Sequence, residues 1–220
     1  MDDEVMYEKT GLTSGVLGKT FLWMFMGLLA TGFIAWYSYS SGYVLKMNFQ
    51  LLALIELAVV VIFSLGFRKL PATVVTILYF GYAILNGFTF SVIFYVFELN
   101  SIISLFFVTA GMFGALAYVG IKTERDLTGF GNFLYAGLFA GIIITLINLI
   151  MKNSTVDIVL DWVILAIFLG ITVYDVNKIK NMEQYDIVEP DKLYIYGAME
   201  IYLDFINIFI RLLSLFGKRK

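Results

Sequence analysis

The chain has 220 residues, 60% hydrophobic, 17% aromatic and 15% charged, with a formal net charge of −2 and a mean hydropathy of +0.88. A water-soluble domain is nearer half apolar and about a quarter charged, so a core of this size cannot hide so much apolar surface and lipid must be part of the solvent. Near-neutral charge argues against nucleic acid as a partner. The absence of cysteine and histidine removes disulfides, thiolate nucleophiles, the usual zinc and haem sites, and Ser-His-Asp or Cys-His catalysis.

Residues 1–19 are polar and acidic through Asp2, Asp3, Glu4 and Glu8. They lack the basic start and short apolar stretch of a cleavable signal, so the first apolar run reads as a retained helix. A spanning helix needs roughly 20 mostly apolar residues. Six runs meet this, at approximately 20–39, 48–67, 72–97, 101–121, 129–151 and 157–178, and a less clean seventh covers 193–216. A β-barrel would alternate in short segments instead. With only two prolines, the helices should run unbroken. The expected organisation is a polar cytoplasmic N-terminus (1–19), a single seven-helix membrane domain (20–216) and a basic tail (217–220). Connections are short, and 179–192 is expected to be the longest.

Lysine and arginine in the loops set orientation. One side holds Lys9, Lys19, Arg68, Lys69, Lys122, Arg125, Lys178, Lys180 and Lys192; the other holds Lys46 and Lys152. The N-terminus is therefore expected in the cytoplasm. Seven crossings put Lys218, Arg219 and Lys220 outside, against that rule, whereas a re-entrant seventh segment would put them inside; seven crossings are retained. Gly137 with Gly141, and Gly111 with Gly114, are small residues expected to let helices approach closely. Trp36, Tyr37, Tyr39 and Tyr43 fit an interfacial aromatic belt.

A charged group inside a membrane segment costs at least about 2.5–3.5 kcal/mol near the centre. Glu56 lies midway along the second run. Asp161 lies near the start of the sixth, close to an interface where solvation suffices, and Asp175 near its cytoplasmic end. Glu200 and Asp204 are one turn apart on the seventh, Asn207 follows, and Arg211 is the only base well inside a run. Glu200 can snorkel or reach poorly toward Arg211. Carboxylates thus outnumber internal bases, and two outlets exist: sharing or holding protons, or facing a hydrated path that attracts cations.

The segments Tyr174-Asp175-Val-Asn177-Lys178 and Ile201-Tyr202-Leu203-Asp204-Phe205-Ile206-Asn207 resemble the last two helices of the Bax inhibitor-1 family, also called the transmembrane BAX inhibitor motif family, and the similarity covers essentially the whole chain. The resemblance implies an all-α membrane fold of seven helices with the last one central and wrapped by the other six. It implies a pH-sensitive calcium leak channel in which Asp175 and Asp204 share a proton and gate the pore, with Glu56 as the acidic residue of helix two. An arginine after helix two is implied to latch onto the helix-six aspartate, and Arg68 is the candidate, although the spacing from Glu56 also allows Phe67 at that place. Glu200, Asn207 and Arg211 are secondary candidates for the ion path.

The chemistry of two adjacent carboxylates agrees. They cannot both ionise cheaply, so one proton can hold helix six to helix seven, and its loss adds repulsion. Calcium takes six to eight oxygen ligands; two or three carboxylates cannot fill that shell, so any calcium at Asp175 and Asp204 should be weakly held and partly hydrated, which suits conduction. No cofactor is expected beyond calcium as the transported ion, and the partners implied are the lipid bilayer, calcium and protons. A proton-coupled cation exchanger would use the same carboxylates. A non-conducting regulator would bind a membrane protease or another membrane protein and keep the aspartates as helix glue. An intramembrane aspartyl protease shares the Tyr-Asp of its first motif, but Ile201-Tyr202-Leu203 stands where Gly-x-Gly should precede Asp204, and the only prolines, Pro71 and Pro190, supply no Pro-Ala-Leu helix, so no enzyme activity is expected. A monomer in a bacterial inner membrane is the expected setting.

Overall fold

In a computed structural model the described residues are 2–184 and 189–220, with side chains described for 15–183 and 189–220. Seven long helices follow one another: α1 Asp2–Ser40, α2 Phe49–Gly66, α3 Ala72–Phe90, α4 Leu99–Lys122, α5 Thr128–Met151, α6 Ser154–Gln184 and α7 Pro190–Phe216. A 3₁₀ turn at Tyr43–Lys46 and a single helical turn at Ile93–Val96 complete the regular structure, and no strand occurs among the described residues. Six of the helices are long and apolar enough to cross a membrane, which makes the chain a multi-pass integral membrane protein. The seventh, α7, has 27 residues, about 40 Å at 1.5 Å per residue, and runs without interruption.

Two expectations about boundaries change. The run 72–97 is not one unbroken helix, since α3 ends at Phe90 and a separate turn covers Ile93–Val96. The segment 179–192 is not a long loop: α6 continues to Gln184 and α7 starts at Pro190. The extension holds because Val176, Ile179 and Met182 stay buried at the three-residue spacing of one helix face. Residues 185–188 lie outside the described residues, as do the side chains of the acidic opening segment, including Asp2, Asp3, Glu4, Glu8 and Lys9.

The chain forms two compact units, one of Met1–Phe97 with Ile179–Tyr202 and Lys220, the other of Glu98–Lys178 with Leu203–Arg219. In the first, α1 buries Leu17, Thr20, Met24, Leu28, Thr31, Ala35 and Ser38 while Leu22, Phe25, Leu29, Phe33 and Trp36 are exposed. The hydroxylated and small residues share the protein-facing side with Leu17, Met24 and Leu28, while the other large apolar residues face outward, because lipid rewards apolar surface and close helix contact rewards small side chains. Gly87 on α3 shows how close: a Cβ there would lie 2.8 Å from the Thr31 carbonyl oxygen of α1. Around the end of α1, Trp36, Tyr37 and Tyr43 are exposed and Tyr37 packs against Phe33 and Tyr43. Gly42, at φ 72°, supplies the left-handed residue that ends the helix.

In the second unit, Leu134 of α5, Leu160, Ile164, Leu165, Phe168 and Ile171 of α6, and Ile208 and Leu212 of α7 form one core. Asn148 staples the α5–α6 hairpin. Its Nδ2 donates to the Asn153 carbonyl at 3.0 Å and to Asp157 Oδ1 at 2.5 Å, and its Oδ1 accepts from Asn153 N–H at 3.2 Å. Replacing Asn148 with alanine leaves buried polar groups unmatched and should cost about 1–3 kcal/mol, read as a lower melting temperature in detergent. Gly111 and Gly114, expected at a helix contact, instead face open space; that side of α4 points outward. Gly137 and Gly141 do meet α6: a Cβ would lie 3.3 Å from Ile167 at the first, a tight contact, and 3.5 Å from Ile164 at the second, an ordinary van der Waals distance.

The tail fixes the end of α7. In the second unit, Glu98 N–H donates to the Lys218 carbonyl at 2.9 Å and Lys218 Nζ pairs with Glu98 Oε1 at 2.9 Å. In the first, Lys220 N–H donates to the Val96 carbonyl at 3.0 Å and its ammonium to the Phe94 carbonyl at 2.6 Å. Both anchors belong to the α3–α4 connection.

Candidate functional site

Asp175 and Asp204 are each 2% exposed and belong to the same unit. Asp175 follows Ile171 by one turn of α6, and Asp204 precedes Ile208 by one turn of α7. Since Ile171 and Ile208 share one core, and residues four apart lie on one helix face, both carboxylates sit beyond the same end of that core.

The surroundings of Asp175 are built from α4, α5 and α6. The Tyr135 hydroxyl of α5 donates to Asp175 Oδ1 and Oδ2, 3.1 Å from each. Lys178, one turn along α6, brings its ammonium to 4.0 Å from Oδ1 and over the Tyr174 ring at 5.9 Å. Tyr174 meets Tyr135 edge to face, centroids 6.1 Å apart, and lies on Gly131, where a Cβ would be 2.5 Å from its ring. Asn177 donates to the Gly120 and Thr123 carbonyls at 3.3 and 2.7 Å, capping the C-terminal end of α4. A Cβ on Gly120 would stand 2.7 Å from the Val173 carbonyl oxygen, so α4 and α6 touch backbone to backbone beside Asp175.

Further along α6 and α7, Asp161 is buried at 8% exposure and not solvated as expected. Arg211 Nη1 donates to its Oδ1 and Ser214 Oγ to its Oδ2, both at 2.5 Å. This pair takes the arginine that the sequence reading offered to Glu200; Glu200 accepts from the Tyr196 hydroxyl. Asn207 Nδ2 donates to the Leu203 carbonyl of its own helix at 2.8 Å.

The first unit holds the remaining candidates. Glu56 is half-buried and its Oε1 accepts from the Thr89 hydroxyl at 2.6 Å. Arg68 is exposed with its guanidinium 5.6 Å from the Phe67 ring centroid, and Phe67 is buried, stacked on Tyr196 at 4.1 Å. A directional chain of hydrogen bonds also runs here. Asn86 Nδ2 donates to the Tyr202 hydroxyl at 2.8 Å, Tyr202 lies 2.7 Å from Thr31 Oγ1, and Thr31 donates to the Ala83 carbonyl at 2.8 Å. With the threonine proton used on Ala83, the Tyr202 hydroxyl donates to Thr31, and every member of this buried network is satisfied.

Tyr135, Thr89 and the Asn86–Tyr202–Thr31 chain were not singled out from the sequence. Asn86 and Thr89, polar residues three apart inside an apolar run, carried a signal; Tyr135, one of 14 tyrosines, carried none. Among the described residues no group of three or more acidic side chains converges as a metal site.

Residues 13–220 match the family model described as Inhibitor of apoptosis-promoting Bax1. The chain is 40% identical over 228 residues to the inner membrane protein YbhL of Escherichia coli K12, across 99% of this chain and 97% of that protein. It is 33% identical over 214 residues to an uncharacterized protein of Borreliella burgdorferi, across 93% and 92%, and 33% identical over 211 residues to the uncharacterized protein RP147 of Rickettsia prowazekii, across 92% and 89%.

Proposed function

The chain belongs to the family described as inhibitors of apoptosis-promoting Bax1, and from that premise we propose that it is a pH-sensitive calcium leak channel of a bacterial inner membrane, gated by Asp175 and Asp204. The observation that carries this reading is the burial of both carboxylates, in one unit, beyond the same end of the α6–α7 core. A shared proton would hold the two helices together there. Its loss would place a second negative charge in a site of low dielectric, and the repulsion would bias α6 and α7 apart. Glu56 would serve the ion along the path, and the N-terminus would face the cytoplasm. The burial of α7 on several faces, through Leu193, Ala198, Ile201, Tyr202, Ile208 and Leu213, supports a central place for that helix.

Purified protein in liposomes should pass calcium with a rate that changes across pH ~5 to 8. An Asp175→Asn/Asp204→Asn variant should lose that pH response. A pH response retained in the variant would remove the aspartates from gating. Flux that saturates and needs a counter-gradient would mark an exchanger, and no flux above empty liposomes would leave a non-conducting regulator.

A further inference from the structure

We propose that Tyr135 is a third member of this gate: its hydroxyl covers both oxygens of Asp175 and must withdraw before that carboxylate meets a cation. The inference rests on the channel reading for its role, but the geometry stands by itself. An ionised carboxylate accepts only, and a cation binds it through the oxygen lone pairs, on one or both oxygens. The Tyr135 hydroxyl is equidistant from the two, 3.1 Å from each, which is the bridging position a bidentate cation takes. Lys178 adds a positive charge 4.0 Å from Oδ1. On the α5 side, then, Asp175 meets a donor held where an ion would bind.

The tyrosine is held without being locked. Its ring packs edge to face on Tyr174, which in turn rests in the space left by Gly131, one turn earlier on α5. Yet Tyr135 is 39% exposed, whereas the aspartate it covers is 2% exposed. A rotation of this half-exposed side chain would lift the α5 donor from a buried carboxylate without moving a helix, and side-chain rotations of this kind are fast compared with helix movements.

Tyr135→Phe keeps the ring and its contact with Tyr174 and deletes only the donor. At fixed pH, calcium flux through Tyr135→Phe should rise on the order of tenfold, since a hydrogen bond to a charged group no longer opposes the ion. A second reading does not depend on conduction: labelling of Asp175 by a hydrophobic carbodiimide, followed by peptide mass. Asp175 should label several-fold faster in Tyr135→Phe, and calcium should protect it at a lower concentration than in the parent. Unchanged labelling and unchanged protection in Tyr135→Phe overturn the proposal, even if Tyr135→Ala fails through lost packing. If the parent passes no calcium while the labelling shift is seen, the channel reading falls and the cover on Asp175 stands.

Discussion

Arg211→Met should be among the most damaging single substitutions in this protein, lowering stability by about 3–5 kcal/mol. The arginine is the partner of Asp161, at 2.5 Å, and Asp161 is 8% exposed. Removing the guanidinium leaves a carboxylate buried with only the Ser214 hydroxyl to offset it. The cost arises from the charge left behind more than from the bond removed. Arg211→Met/Asp161→Leu, which removes both charges, should therefore recover most of the loss. Unfolding of the four proteins of this cycle in mixed micelles measures the coupling directly. A single variant as stable as the parent would show that Asp161 reaches water or takes a proton, and that the pair holds nothing.

Gly120→Ala is the second. The added methyl would lie 2.7 Å from the Val173 carbonyl oxygen and 3.0 Å from Val176 Cβ. The first of these is backbone and cannot step aside, so α4 and α6 must separate, at about 1–3 kcal/mol for overpacking of this kind. Separation also pulls the Gly120 and Thr123 carbonyls from Asn177, two residues from Asp175, so the pH response of flux should change along with the melting temperature. Gly114→Ala, on the same helix with nothing within 4 Å, should stay within about 0.5 kcal/mol of the parent. Equal behaviour of the two variants would mean that α4 does not press on α6 at Gly120.

The contrast between these glycines shows how far the sequence could be read. Six spanning helices were legible because length and apolarity alone decide them. The seventh was legible through its carboxylates and despite them, since Asp191, Lys192, Glu200, Asp204 and Arg211 break its hydropathy. Which face of a membrane helix meets protein was not legible: on α4, Gly111 and Gly114 face outward while Gly120 carries the contact, and every face of such a helix is apolar. Asp175 and Asp204 could be picked out because isolated charges in lipid demand a reason. Asp161 was misread because its partners, Arg211 and Ser214, lie 50 and 53 residues away and only tertiary packing brings them in. The overrun of α6 past Lys178 was hidden by the polar residues of Lys178-Ile179-Lys180-Asn181, whose one apolar member, Ile179, is buried.

The anchoring of the last three residues has a practical side. The ammonium of Lys220 sits on the Phe94 carbonyl and over the Tyr39 ring, 5.5 Å from its centroid, and its N–H is spent on Val96. An affinity tag or fluorescent protein fused after Lys220 would begin in the middle of this contact and would work against it in every preparation. Fusions at the opposite end, or a flexible glycine-serine spacer after Lys220, leave the clasp intact, and a comparison of melting temperatures between the two designs would measure what those three residues contribute.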